Sequence, residues 1–185
     1  MPAQYGNLVP RLGVPNSCRV VPGSREDTFA TRIDIPEDAR GNLIELLNAR
    51  LADCFDLYSQ LKQAHWNVKG SDFIQLHLLY DDVAESVLEF VDLIAERATA
   101  LGGMALGTAR MAAAATTLEE YPPDAVAGKE TVEVVADRLA AFGAAVREGI
   151  DTSTELGDMD TADLFTEVSR AIDKHLWFVE AHLQG

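Results

Sequence analysis

Along most of the chain, apolar residues return every three or four positions, and that period marks out four long helices. Leu43, Leu47, Leu51, Cys54, Tyr58 and Leu61 trace the first, and the next step of the same series falls on His65. Asp34, Ile35 and Pro36 read as its start, an acceptor side chain ahead of a first-turn proline. Leu76, Tyr80, Ala84, Val87, Val91, Ala95 and Ala98 trace a second helix, expected from about Phe73 to Leu101, where Gly102 and Gly103 stop it. A third is expected from about Glu130 to Leu156 on Val132, Val135, Leu139, Phe142, Val146 and Ile150. Gly157 then opens a turn, and a fourth runs from about Asp160, the expected N-cap, to Leu183 on Phe165, Val168, Ile172, Leu176 and Val179. The connection from Gly102 to Lys129 contains the alanine-rich ARMAAAA and the turn YPPD, enough for one short helix. No stretch reads as a strand. The expectation is an all-α protein: a four-helix bundle with a short extra helix in the long connection between the second and third helices.

Residues 1–33 lack this period and read as an irregular arm, leaving 34–185 as one bundle domain. A chain of 185 residues with 48% hydrophobic content suits a single core. There is no apolar run of 18 residues, and MPAQYGNLVPRLG lacks the basic start and apolar centre of a signal peptide, so a cytoplasmic protein with no membrane contact is expected. Cys18 and Cys54 have no CxxC spacing and read as reduced thiols. The formal net charge of −15 suits cations better than a polyanion. Against that stands the arm, where Arg11, Arg19, Arg25 and Arg32 outnumber Glu26 and Asp27. It reads either as a nucleic-acid tether or as a tail packed on its own assembly, and the second is favoured because the arginines do not cluster.

The chemistry gathers between Gln63 and Arg97. His77, Asp81, Asp92 and Glu96 fall within about 100° of one another on the second helix, flanking its apolar stripe. His77 with Asp81, and Asp92 with Glu96, are i,i+4 pairs, each able to place two ligating atoms on one metal ion. The pairs stand about 16 Å apart along the axis, too far to share an ion within one chain. Two copies of the helix packed antiparallel about a two-fold axis would bring the first pair of one subunit to the second pair of the other, giving two identical sites per interface. His65 alone would read as a core histidine, but His77 is a short loop away and both rings need partners. Trp66 reads most simply as a packing residue. Glu155, Asp158, Asp160 and Asp163 make an acidic turn that either concentrates cations around a symmetry axis or caps the last helix, with capping favoured for Asp160. His175 and His182 have no carboxylate at ligand spacing and read as structural or interfacial. The chain contains no Glu-x-x-His, the motif of di-iron sites built inside one bundle, which moves any metal chemistry to a subunit interface. Carboxylates with imidazole suit Fe(II), for which Zn(II) and Mn(II) compete.

HWNVKG at His65 to Gly70, FIQLH ending at His77, the spaced acids Asp81, Asp92 and Glu96, and AERATALGG together resemble the Dps family, the DNA-binding proteins from starved cells or mini-ferritins. ALGTAR at Ala105 to Arg110, DTADLFTEVSR at Asp160 to Arg170 and DKHLWFVE at Asp173 to Glu180 extend the resemblance over about residues 38–183. It implies a ferritin-like bundle and a ferroxidase site of His65, His77 and Asp81 from one subunit with Asp92 and Glu96 from the two-fold partner. It further implies Fe(II) oxidation with hydrogen peroxide preferred to dioxygen, Trp66 as an oxidisable ring beside the iron, and ferric mineral held in a hollow dodecamer that spares DNA oxidative damage. Glu155, Asp158 and Asp163 would line a three-fold pore admitting iron. The alternative is a nucleoid protein that binds DNA with little ferroxidase activity, although members that do so through their termini usually carry a lysine-rich tail that this chain lacks. A purely structural bundle is disfavoured by the full set of five ligand-type residues.

Overall fold

The computed structural model describes residues 29–184. Five α-helices follow in order: α1 (Glu37–Asn67), α2 (Phe73–Ala100), α3 (Ala109–Ala115), α4 (Gly128–Glu155) and α5 (Met159–Glu180), with a 3-10 turn at Ala181–Leu183. The four long helices form the bundle, in which α1 pairs most closely with α2 and α4 with α5, while short α3 lies against α1. Among the described residues no helix is long and apolar enough to cross a membrane.

The apolar stripes meet in one core whose largest fully buried side chains include Tyr80, Phe142 and Phe165. On α1, Leu57 is fully buried and Tyr58 only partly so. On α2 the buried stripe also takes in Val83, Phe90 and Ile94, while Val91 and Ala95 sit at its edge. The stripe is thus rotated slightly from the expected one and is wider, because α2 packs against both α1 and α5. The Tyr80 hydroxyl meets the Thr131 hydroxyl at 2.9 Å, joining α2 to α4. Cys54 is buried, with its thiol directed at the Val87 carbonyl at 3.5 Å, and burial pushes its pKa up, as expected of an inert reduced thiol. Cys18 and the arginines Arg11, Arg19 and Arg25 lie outside the described residues.

Two helix starts differ from the expectation. Asp34 does not cap α1; Pro36 occupies the N-cap position with no side-chain bond, and Arg40 reaches back to the Ile35 carbonyl at 2.9 Å. The segment before it crosses the end of α2, where the Phe29 amide donates to the Gly102 carbonyl at 2.6 Å. Gly102 has φ +92°, and a Cβ there would collide with the Phe29 carbonyl oxygen, so the glycine serves the crossing as well as the helix stop.

The second difference is at α5, which Asp158 caps and Asp160 does not. Asp158 accepts from the Thr161 amide at 3.0 Å and from the Thr161 hydroxyl, and takes a 2.7 Å bond from Nη2 of Arg97 on α2. Arg97 Nε also donates to the Thr161 hydroxyl at 2.9 Å. Arg97 Nη1 also comes within 4.0 Å of the Asp160 carboxylate, but Asp160 is 87% exposed whereas Asp158, held at 2.7 Å, is 2% exposed. Burial alone would raise the Asp158 pKa, but the bonds from Arg97 and Thr161 outweigh it and hold the carboxyl below the usual carboxylate range.

This latch generates a stability prediction. Asp158→Asn leaves the Arg97 guanidinium only the exposed Asp160, 4.0 Å away, as a charge partner and should cost up to about 3 kcal/mol, seen as a lowered Tm. A depressed folded-state pKa contributes stability that is complete above the unfolded carboxylate value and is lost as pH falls through the folded value. The difference in Tm between wild type and Asp158→Asn should therefore hold above about pH 5 and shrink below about pH 4.

Candidate metal centre

α1 ends and α2 begins around a five-residue turn, and the two helices place His65 and His77 face to face. Their rings stack with centroids 3.8 Å apart and planes 18° from parallel. His65 Nδ1 lies 2.7 Å from the His77 carbonyl oxygen, and His77 Nδ1 lies 2.8 Å from the His65 carbonyl oxygen. The His65 carbonyl belongs to the last turn of α1, where no further helical amide is available to it. A carbonyl can only accept, so each Nδ1 must be the donor. In the neutral rings this fixes both Nε2 atoms as lone-pair donors, the tautomer a metal requires. Phe73 backs the pair, its ring 5.1 Å from that of His77.

One turn beyond His77 on α2, Asp81 adds a carboxylate whose Oδ1 is 3.9 Å from His65 Nδ1. Its side chain is 35% exposed, and it is paired with the Lys62 ammonium on α1. That bond, opposed by partial burial and aided by the nearby His65 and His77, holds the Asp81 pKa below its ordinary value. Lys62 also lies 5.9 Å from the centre of the Trp66 ring, one turn along α1. Trp66 itself is 65% exposed.

Asp92 and Glu96 stand exposed further along α2. The helix between is continuous, so Asp92 remains about 16 Å from Asp81 along the axis and the other members of the two pairs stand farther apart. Among the described residues no group of three or more His, Cys, Asp or Glu side chains converges to hold an ion. The structure therefore brings His65, His77 and Asp81 together and leaves Asp92 and Glu96 apart. The outer face of α2 joining the two sets exposes Ile74, Leu78 and Leu88, large apolar side chains beside the acids.

The other sequence candidates are placed as follows. Glu155 and Asp163 are exposed at the α4–α5 turn, whereas the Asp158 carboxylate is consumed by the cap and by Arg97. His175 Nε2 bonds the Ser86 hydroxyl at 3.0 Å between α5 and α2, and burial, then Lys174, lowers its pKa against the pull of Asp82. His182 is exposed and bonds the Phe178 carbonyl at 3.0 Å. Each thus bonds a partner within the protomer. The residue that sequence reasoning missed is Lys62, whose signal was its position one helical turn before Trp66, on the same face.

The chain matches the model of the ferritin-like domain over residues 44–185. It is 41% identical over 157 residues to the DNA protection during starvation protein of Agrobacterium fabrum, covering 85% of this chain and 97% of the relative. It is 30% identical to the protein of the same name from Halobacterium salinarum, covering 94% of each. Among solved structures it superposes on DpsC from Streptomyces coelicolor with a TM-score of 0.80 at 33% identity, covering 85% of this chain and 92% of that one.

The reciprocal imidazole bonds are directly observable. In metal-free protein labelled with 15N-histidine, solid-state NMR should show His65 and His77 as neutral Nδ1–H tautomers, assigned by single His→Gln variants. Nε2–H tautomers at either position would contradict the arrangement.

Proposed function

The chain belongs to the Dps branch of the ferritin-like family, and on that premise we propose that it oxidises Fe(II) at di-iron sites shared between two-fold-related subunits. The observation that carries this reading is the imidazole pair, whose Nδ1 bonds leave both Nε2 atoms free, with Asp81 alongside, as a half-site that one chain does not complete.

An antiparallel α2–α2 contact centred between Glu85 and Leu88 would set His77 and Asp81 of one subunit against Glu96 and Asp92 of the other. The exposed Ile74, Leu78 and Leu88 supply the apolar area for such a contact. His65, His77 and Asp81 would hold one Fe(II), Glu96 would bridge toward a second, and Asp92 would complete the shell. Imidazole with carboxylate suits Fe(II), and Zn(II) or Mn(II) would occupy the same ligands without the redox step. Iron here is substrate. Two Fe(II) give one electron each to hydrogen peroxide, the O–O bond breaks, and two protons complete two waters. Because both electrons leave together, no hydroxyl radical is released. Dioxygen would serve as the slower oxidant. Trp66, next to His65 in sequence and exposed in the protomer, suits interception of stray oxidising equivalents.

Closed dodecameric assembly would provide a hollow interior for ferric mineral, and exposed Glu155 and Asp163 are the acids available to a pore around a three-fold axis. Removing Fe(II) and peroxide together protects DNA without touching it. Direct DNA binding through the arginines of the arm rests on residues 1–28, outside the described residues, and on Arg32.

Shared sites make a specific prediction. A His65→Ala, His77→Ala variant and an Asp92→Asn, Glu96→Gln variant should each lose tight anaerobic Fe(II) binding and peroxide-driven oxidation while still assembling. Co-expressed in equal amounts, the two should recover about a quarter of the wild-type sites, since half of the randomly paired dimers are mixed and each carries one intact site. No recovery in assemblies shown by mass spectrometry to be mixed would refute the shared site.

A further inference from the structure

The Lys62 ammonium rests on one of the carboxylates that the proposed site offers to iron and, in that same position, lies 5.9 Å from the centre of the Trp66 ring one turn away. From this geometry we propose that Lys62 is a displaceable counter-cation: it neutralises Asp81 in the metal-free protein and yields that carboxylate when a divalent ion arrives, retaining the Trp66 ring as its neighbour. The inference rests on the shared-site reading and concerns how that site is regulated.

Three features support it. First, the charge balance demands a cation. Pairing two subunits would bring Asp81 close to Asp92 and Glu96 of the other chain, three carboxylates within one site, in a protein of formal net charge −15. Like charges so placed repel unless something positive lies among them. Lys62 supplies that charge before any metal binds, so the interface can close empty.

Second, the bond is of an exchangeable kind. Lys62 and Asp81 keep 21% and 35% of their side chains exposed, and a single ammonium is a point charge without the two-pronged grip of arginine. A divalent ion held by two imidazoles and further carboxylates outcompetes it. The contrast lies within the same molecule, where Asp158 is 2% exposed and tied to Arg97.

Third, the vacated ammonium has somewhere to go. Lys62 and Trp66 are i,i+4 neighbours on α1, and the ring centre lies 5.9 Å from Nζ, within the range of an attractive cation–π contact. The ring is already within reach of the ammonium while it holds Asp81, so giving up the carboxylate requires no change in the helix. The competing pair then penalises metal binding and keeps weakly held cations out.

The test uses size-selected assembled protein, Zn(II) alone as a closed-shell probe that does not oxidise, and a Trp177→Phe background in which Trp66 is the remaining tryptophan. Zn(II) should change the Trp66 emission saturably. Lys62→Met should bind Zn(II) about fivefold more tightly, the equivalent of one released exposed ion pair, and should lose the emission change. Lys62→Arg, which keeps the charge and can grip the carboxylate with two prongs, should bind no more tightly than wild type. If Lys62→Met shows wild-type affinity and the same emission change, the counter-cation is refuted. Equal tightening in both Lys62 variants would assign the effect to lost packing and refute it as well. Asp81→Asn and His65→Ala report on the underlying site instead: if neither weakens Zn(II) binding, the shared-site reading itself fails.

Discussion

A continuous α-helix cannot fold back on itself, so residues three turns apart on one face remain three turns apart. That constraint governs this molecule. α2 carries His77 and Asp81 near its start and Asp92 and Glu96 near its end, and the bundle fixes its axis by burying the opposite side from Leu76 to Ala98. No rearrangement of loops or rotamers within the chain can unite the two pairs. What remains available is a second α2 running the other way, and the exposed Ile74, Leu78 and Leu88 on the same face as the pairs fit that role better than they fit solvent.

The treatment of carboxylates follows a consistent physical logic. An acidic chain that draws an aspartate inward must meet it with a cation. Asp53, fully buried under the connection after α3, pairs with Arg50 at 3.0 Å and accepts from the Thr117 amide at 2.7 Å. Asp158 pairs with Arg97 at 2.7 Å and accepts from Thr161. Both use arginine, whose planar fork serves fixed geometry, and both stitch together elements distant in sequence. Asp81 meets a lysine, in a more open position. The choice of cation separates carboxylates that hold the fold from one that is free to exchange partners.

Much of this was legible in the sequence because it depends on periodicity. The four long helices, the short helix at ARMAAAA and the burial of His65 follow from spacing alone, and the structure places each within a few residues of the expectation. The errors arose where local chemistry was decided by distant partners. Asp160 and Asp158 are equally good caps on paper; the arrival of Arg97 from α2 selects the latter. Asp34 looked like a cap until the crossing of Phe29 over Gly102 set the approach of the chain to α1. The spacing of Lys62 to Trp66 is visible in the sequence, but its pairing with Asp81 is not, because an ion pair between helices has no sequence period. The clasp between the histidines was equally hidden, since a ring nitrogen bonded to a carbonyl twelve residues away leaves no pattern.

That clasp also bears on the order in which the molecule takes shape. It links residues twelve apart within one helical hairpin, a loop that costs little entropy to close, whereas the contacts of α1 with α4 span far longer stretches of chain. The stacked imidazoles therefore belong to one of the local tertiary contacts of the chain. An emerging polypeptide would have them stacked before α4 and α5 leave the ribosome, and the later helices would dock onto a hairpin already shaped for its chemistry.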